Sequence, residues 1–239
     1  MRKVAPRLYH YVVVSLMTIV LIVTTLLLGG SENVRTSALS WKNAMSLTSV
    51  SQMELYEQLI RRAITEHDES SGIVPPRHWV FVPVGGVIQH FCGLDEALKS
   101  QDAYVYCSND DTIYVGAEMM WRFYQISWIT PAILMAHEAG HAQQFSTAAS
   151  WASSVRNEPG GIVLLENQAD CISGVWLNWM QSHQKLAQFS ATDIVQLFKE
   201  VADPNIGVDK THGTFAERYA QYGKGTTGPN TDVCTAYAL

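Results

Sequence analysis

Apolar and polar positions divide the chain into three regimes. Residues 11–28 (YVVVSLMTIVLIVTTLLL) form an unbroken uncharged run closed by Gly29 and Gly30. Twenty helical residues span about 30 Å, the hydrocarbon thickness of a bilayer, so this run predicts a membrane helix. A cleaved signal peptide has an apolar core of about 7–15 residues followed by a small-x-small site. The run is longer than that and Leu28-Gly29-Gly30 fits such a site poorly, which favours a retained anchor over a cleaved leader. Residues 31–50 are rich in Ser, Thr and Asn and read as a linker. From residue 51 onward the pattern is that of a folded domain.

Within that domain, residues 51–65 carry Met53, Leu55, Tyr56, Leu59, Ile60 and Ile64 at helical spacing. Strand-like runs follow at Trp79–Val82, Ala103–Tyr106 and Thr112–Val115. The turn residues Ser108-Asn109-Asp110-Asp111 between the last two predict a hairpin. Helical periodicity then takes over at 118–128, 131–146, 160–181, 192–202 and 212–222, with breaks at Pro, Gly, Ser or Asp. A few strands followed mainly by helices predict an α+β fold, mostly helical with a small sheet.

Composition narrows the function classes. With 47% hydrophobic and 16% charged residues the chain is neither disordered nor a coiled coil. Residues 1–30 hold Arg2, Lys3 and Arg7 and no acid, so residues 31–239 carry the remaining 13 basic against all 22 acidic side chains. Such an acidic domain without a basic stripe is a poor partner for a phosphate backbone, which excludes nucleic-acid binding. The basic N-terminus is expected to stay in the cytoplasm, making residues 1–30 a cytoplasmic tail and anchor and sending 31–239 outside, with 51–239 as the catalytic domain.

All four cysteines lie beyond the membrane run. No C-x-x-C pair is present, so a zinc ribbon or thioredoxin-type site is not indicated. In an oxidising compartment four cysteines allow three pairings. The expected one is Cys92–Cys107, closing a short loop, with Cys171–Cys234 tying the C-terminal tail to a helix. Free buried thiols are the alternative.

The chemistry centres on His137-Glu138-Ala139-Gly140-His141 within PAILMAHEAGHAQQF. Imidazoles four residues apart on a helix sit one turn apart on one face, so both can hold one zinc ion, with Glu138 placed to take a proton from a water polarised by the metal. So short a motif also arises by chance in partly buried helices. A hydrolytic zinc needs a third protein ligand and an open position. Glu166, 25 residues after His141 in the apolar helical stretch GIVLLENQADCISGVWLNWM, supplies it. Asp170, one turn further, is placed to accept the outer N–H of a ligating histidine. Two carboxylates in so apolar a stretch are costly without a metal or a partner. The run Met119, Met120, Trp121, Phe123, Tyr124 reads as core rather than as a substrate cleft.

These motifs, taken in order, resemble the bacterial neutral zinc metallopeptidase family. The family patterns HE-x-GH-x-x-Q, ELQADC-x-AGVW and THGTS-x-QR are similar to HEAGHAQ (137–143), ADCISGVW (169–176) and THGT (211–214), and the upstream Cys92-Gly93 and YCSNDDTIY (106–114) have counterparts. Asn167 stands where the family has Leu, Ala142 where it has His, and Phe215 and Glu217 where it has Ser and Gln. The resemblance covers roughly 92–237. It implies a zincin-like metalloprotease domain of the gluzincin type, with zinc ligands His137, His141 and Glu166 and catalytic Glu138. Related gluzincins use a C-terminal His or Tyr to stabilise the oxyanion, and His212, near Arg218, is the candidate; a structural role at the start of the following helix is its alternative.

The expectation is a single-pass membrane zinc endopeptidase with an extracytoplasmic catalytic domain acting on a peptide or protein substrate. A strand near Thr112–Val115 is expected to align that substrate by backbone pairing. The rivals are a non-catalytic zincin-like binding or chaperone module of the cell envelope and a zinc hydrolase of non-peptide amides.

Overall fold

A computed structural model describes residues 39–184, 186, 189–203, 211–228 and 230–237. The expected membrane run and residues 31–38 of the expected linker lie outside these. Among the described residues no helix is long and apolar enough to cross a membrane.

Folded structure starts before residue 51. Ser40 caps a single turn, α1 (Trp41–Ala44), by accepting from the Asn43 N–H. Trp41 packs edge-on against Tyr56 of α2 (Met53–Ser70), and Tyr124 Oη donates to Ala44 O and accepts from the Leu47 N–H, both at 2.8 Å. The polar composition of 31–50 hides these apolar anchors. The segment from residue 39 is therefore a packed edge of the domain rather than a linker.

The strands are β1 (His78–Val82), β2 (Val87–Ile88), β3 (Leu98–Lys99), β4 (Tyr104–Cys107) and β5 (Thr112–Gly116). β2 and β3 form a separate two-stranded pair. The main sheet has the order β1-β5-β4, with β1 parallel and β4 antiparallel to β5. The expected hairpin is present, and Asp111 takes φ of 52° at its tight end, a conformation Asp tolerates better than most residues. The expectation that Thr112–Val115 aligns a substrate is corrected here. Thr112–Gly116 is the central strand, buried throughout, with both edges taken. β4 is an edge strand of this sheet, and its Tyr106 N–H is donated to Glu138 of the helix that starts at Thr130.

The helices are α3 (Ala117–Tyr124), α4 (Thr130–Thr147), α5 (Ala149–Arg156), α6 (Gly161–His183), α7 (Ala191–Val201) and α8 (Phe215–Thr227). Pro131 sits in the first turn of α4, where its missing N–H costs nothing. Ser190 with Asp193 and Thr214 with Glu217 form capping boxes that start α7 and α8. α4 runs through the middle of the domain and is buried on almost every side, packed against α6, β4 and α3.

Two close approaches depend on glycine. At Gly140, inside HEAGH, a methyl would lie 3.1 Å from Ala169 Cα, so the missing side chain lets α4 approach α6. Where α6 crosses α8, a methyl on Gly225 would lie 1.9 Å from Cys171 O. Both expected disulfides, Cys92–Cys107 and Cys171–Cys234, are formed. The architecture is α+β, mainly helical with a small mixed sheet.

Candidate metal centre

The α4–α6 contact brings His137, His141 and Glu166 together. His137 Nε2 and His141 Nε2 are 3.1 Å apart, and they lie 3.3 and 3.2 Å from Glu166 Oε2 and Oε1. A tetrahedral zinc with bonds of about 2.0–2.1 Å has ligand–ligand edges of about 3.3 Å, close to the spacing of the two imidazole nitrogens from each other and of each from one oxygen of the Glu166 carboxylate. Among the described residues this trio is the group of His, Cys, Asp and Glu able to hold a metal.

The outer nitrogens decide how the inner ones are used. His137 Nδ1 is 2.9 Å from Asp170 Oδ1, the contact expected of Asp170. His141 Nδ1 is 2.9 Å from Gln144 Oε1. Gln144 Nε2 donates to Leu165 O at 2.8 Å, so the oxygen of that amide must face the imidazole. Both Nδ1 atoms are therefore donors, and in the neutral rings both Nε2 atoms present lone pairs to each other and to the Glu166 carboxylate. That arrangement is repulsive unless positive charge lies between them, which fits a cation held by these three side chains. Without an ion, the same carboxylates draw a proton onto His137 to supply that positive charge. Burial opposes charge on His137, but Asp170 and Glu166 outweigh it and push the imidazole up to about 10. Burial also works against ionised Glu166, yet the two imidazoles hold its carboxyl well below the usual carboxylate range.

Glu138 points to a different neighbour. Its Oε2 accepts the Tyr106 N–H from β4 at 2.7 Å. Burial raises the Glu138 carboxyl above its ordinary value, against the pull of His137 and His141. It lines the same cavity as the trio, about 590 Å³ in volume. Its lining includes Tyr104, Val105 and Tyr106 of β4 and the apolar side chains of Met119, Phe123 and Leu134. The 119–124 run thus serves both as core, through Met120 and Tyr124, and as cavity wall, through Met119 and Phe123.

His212 also lines the cavity, but its half-exposed ring contacts Thr211 Oγ1 at 2.9 Å and Asp203 Oδ1 at 3.5 Å rather than the trio. Thr214, not His212, caps α8. Asp203 holds this loop by accepting the N–H groups of Thr211, His212 and Gly213. Burial would raise the Asp203 carboxyl, but these donors bring it down to about 2.

Three further contributions are not singled out by the sequence. Arg218 is fully buried and grips Asp170 with two hydrogen bonds of 2.8 and 2.9 Å, while its third nitrogen donates to Val201 O. Gln144 orients His141, and the Tyr106 N–H meets Glu138. Gln144 lies one helical turn past His141 and so carries a weak sequence signal; the other two arise only from packing between distant segments. Compared with known proteins, the chain matches no family model, no curated protein and no solved structure.

Proposed function

We propose that this chain is a zinc-dependent endopeptidase with a zincin-like catalytic domain, anchored by residues 11–28 and facing out of the cytoplasm. The observation that carries the reading is the trio at 3.1–3.3 Å spacing with both outer imidazole nitrogens committed as donors, and a separate buried carboxyl, Glu138, beside it. A binding module needs the trio at most. Glu138, buried and not part of the trio, supports catalysis, as does the motif resemblance. The two disulfides support an oxidising compartment.

His137, His141 and Glu166 would hold the ion. When bound, zinc supplies Lewis acidity, polarising a carbonyl and acidifying water to a pKa of about 7. Asp170 and Gln144 keep the imidazole lone pairs aimed inward, and Arg218 keeps Asp170 in place. Glu138 takes the proton from the attacking water and delivers it to the leaving amine nitrogen; its raised carboxyl pKa suits a group that must both accept and give. An extended peptide would lie along the outer edge of β4, where Glu138 already holds the Tyr106 N–H, with an apolar side chain directed toward Met119, Phe123 and Leu134. His212 on the cavity wall is the proposed donor to the developing oxyanion.

The test is metal analysis of the full chain alongside cleavage of a mixed peptide library. About one zinc per chain with peptide hydrolysis abolished by Glu138→Gln is the expected result. Zinc without hydrolysis of any peptide or simple amide favours the envelope binding module. No zinc, even after adding it, overturns the metal assignment.

A further inference from the structure

The polar contacts behind His141 continue past Gln144. Gln144 Nε2 donates to Gln168 Oε1 at 3.0 Å as well as to Leu165 O, and Gln168 Nε2 donates to Cys234 O at 3.3 Å. Both amides are buried, Gln144 at 3% and Gln168 at 7% exposure. The polarity of the series is fixed at two points by backbone carbonyls, which only accept. Cys234 O takes the Gln168 NH2, Gln168 presents its oxygen to Gln144, and Gln144 presents its oxygen to His141 Nδ1. The last acceptor sits in the 3₁₀ segment Thr231–Tyr237, which Cys234 ties to α6 through Cys171, the residue after Asp170.

We propose that Gln168 and the Cys171–Cys234 disulfide are positioning elements for the metal ligand His141. The disulfide fixes the Cys234 carbonyl, the carbonyl fixes which way the Gln168 amide faces, and that amide holds Gln144 against His141. If the carbonyl departs, Gln168 is free to flip. A flipped Gln168 sets its NH2 against the Gln144 NH2 in a site where neither can turn to water, and the cost is relieved only by rotating Gln144 off His141. His141 then loses the partner that keeps its Nε2 lone pair directed at the ion. Leu165 O, Gln144's second acceptor, limits the loss but cannot by itself set Gln168. The inference rests on reading the trio as a zinc site.

The experiment uses the full 239-residue chain, with zinc affinity measured by competition against a chromophoric chelator and ligand geometry by the visible spectrum of the cobalt(II)-loaded protein. The variants are Gln168→Met, with the disulfide intact, and the double substitution Cys171→Ser with Cys234→Ser. Gln143→Ala is the control, because Gln143 bonds Thr231 of the same C-terminal segment but stands outside the series. Both test variants are expected to weaken zinc by about 10–100-fold, as for other partners that orient a ligand. Both are also expected to shift the cobalt bands at saturation, which lost stability alone would not do; the control should do neither. Should the cysteine variant fail to fold, Gln168→Met decides. Wild-type zinc affinity with unshifted cobalt bands in Gln168→Met overturns the proposal and leaves the metal reading standing. A wild-type chain that takes up neither metal overturns both.

Discussion

Glu138 and Glu166 are the same residue type in one cavity, yet their surroundings push them apart. Burial raises Glu138, whereas imidazole contacts hold Glu166 ionised. Divergent carboxyls of this kind sort a proton carrier from a ligand. Glu138→Gln should therefore abolish hydrolysis while zinc stays bound, and Glu166→Ala should lower zinc affinity itself. Asp170→Asn acts on two partners at once. It weakens the hold on His137, costing about 10–100-fold in zinc affinity. It also leaves Arg218 buried and less well paired, costing about 3 kcal/mol of stability. Metal titration and denaturation of the three variants check these outcomes. If Glu138→Gln loses metal while Glu166→Ala keeps it, the roles are misassigned and Asp170 becomes the first candidate for third ligand. His137, Glu138 and His141 were legible from spacing within α4, Glu166 from the ligand count a hydrolytic zinc needs, and Asp170 from its spacing to Glu166 within α6. Arg218 was visible only as a neighbour of His212. Its grip on Asp170 is created by the α6–α8 crossing, and no spacing rule reports a contact between two helices with α7 between them in the chain.

At the scale of elements, the same division between local and non-local information explains what the sequence yielded. Long periodic helices such as Thr130–Thr147 and Gly161–His183, and the hairpin across Ser108–Asp111, were predicted to within a few residues. The two-residue strands β2 and β3 have too little alternation to register. Helix Ala149–Arg156 begins directly after Ala148 with mostly small and polar residues, so it reads as a loop. Strand order is a matter of pairing partners, and for that reason the substrate edge was assigned to the wrong strand. The α6–α8 crossing holds Arg218 over Asp170 and relies on Gly174 and Gly225, whose added methyls would meet Tyr222 O at 2.2 Å and Cys171 O at 1.9 Å. Since the obstacles are backbone atoms, relief requires the helices to separate. Gly225→Ala is expected to destabilise the protein by about 3 kcal/mol, at the upper end of overpacking costs. An unchanged unfolding midpoint would show that the crossing is looser than this geometry.

At the scale of the whole molecule, stability combines cross-links, core and buried charge. Disulfides closing 15 and 63 residues remove about 3 and about 4 kcal/mol of unfolded-state entropy in the loop-closure description. Working against the fold is Glu57, on the buried face of α2 at 2% exposure, with Arg61 Nε 3.7 Å away on the rim. Burial pushes the Glu57 carboxyl up to about 7, Arg61 draws it back and Glu54 adds to the rise. Its ordinary value is 4.5, so between roughly pH 4.5 and 7 the folded chain keeps a proton that the unfolded chain has lost. Stability contributed by this group therefore falls as pH rises across that window, by about 3 kcal/mol in all. Glu57→Gln keeps the shape and removes the titration. The variant should match the wild type near pH 4 and exceed it by about 3 kcal/mol near pH 8. Denaturant unfolding of both chains at several pH values measures the difference directly. Parallel stability profiles for the two proteins would mean that Glu57 finds solvent or a partner strong enough to keep it ionised, and the pH dependence would have to come from elsewhere in the molecule.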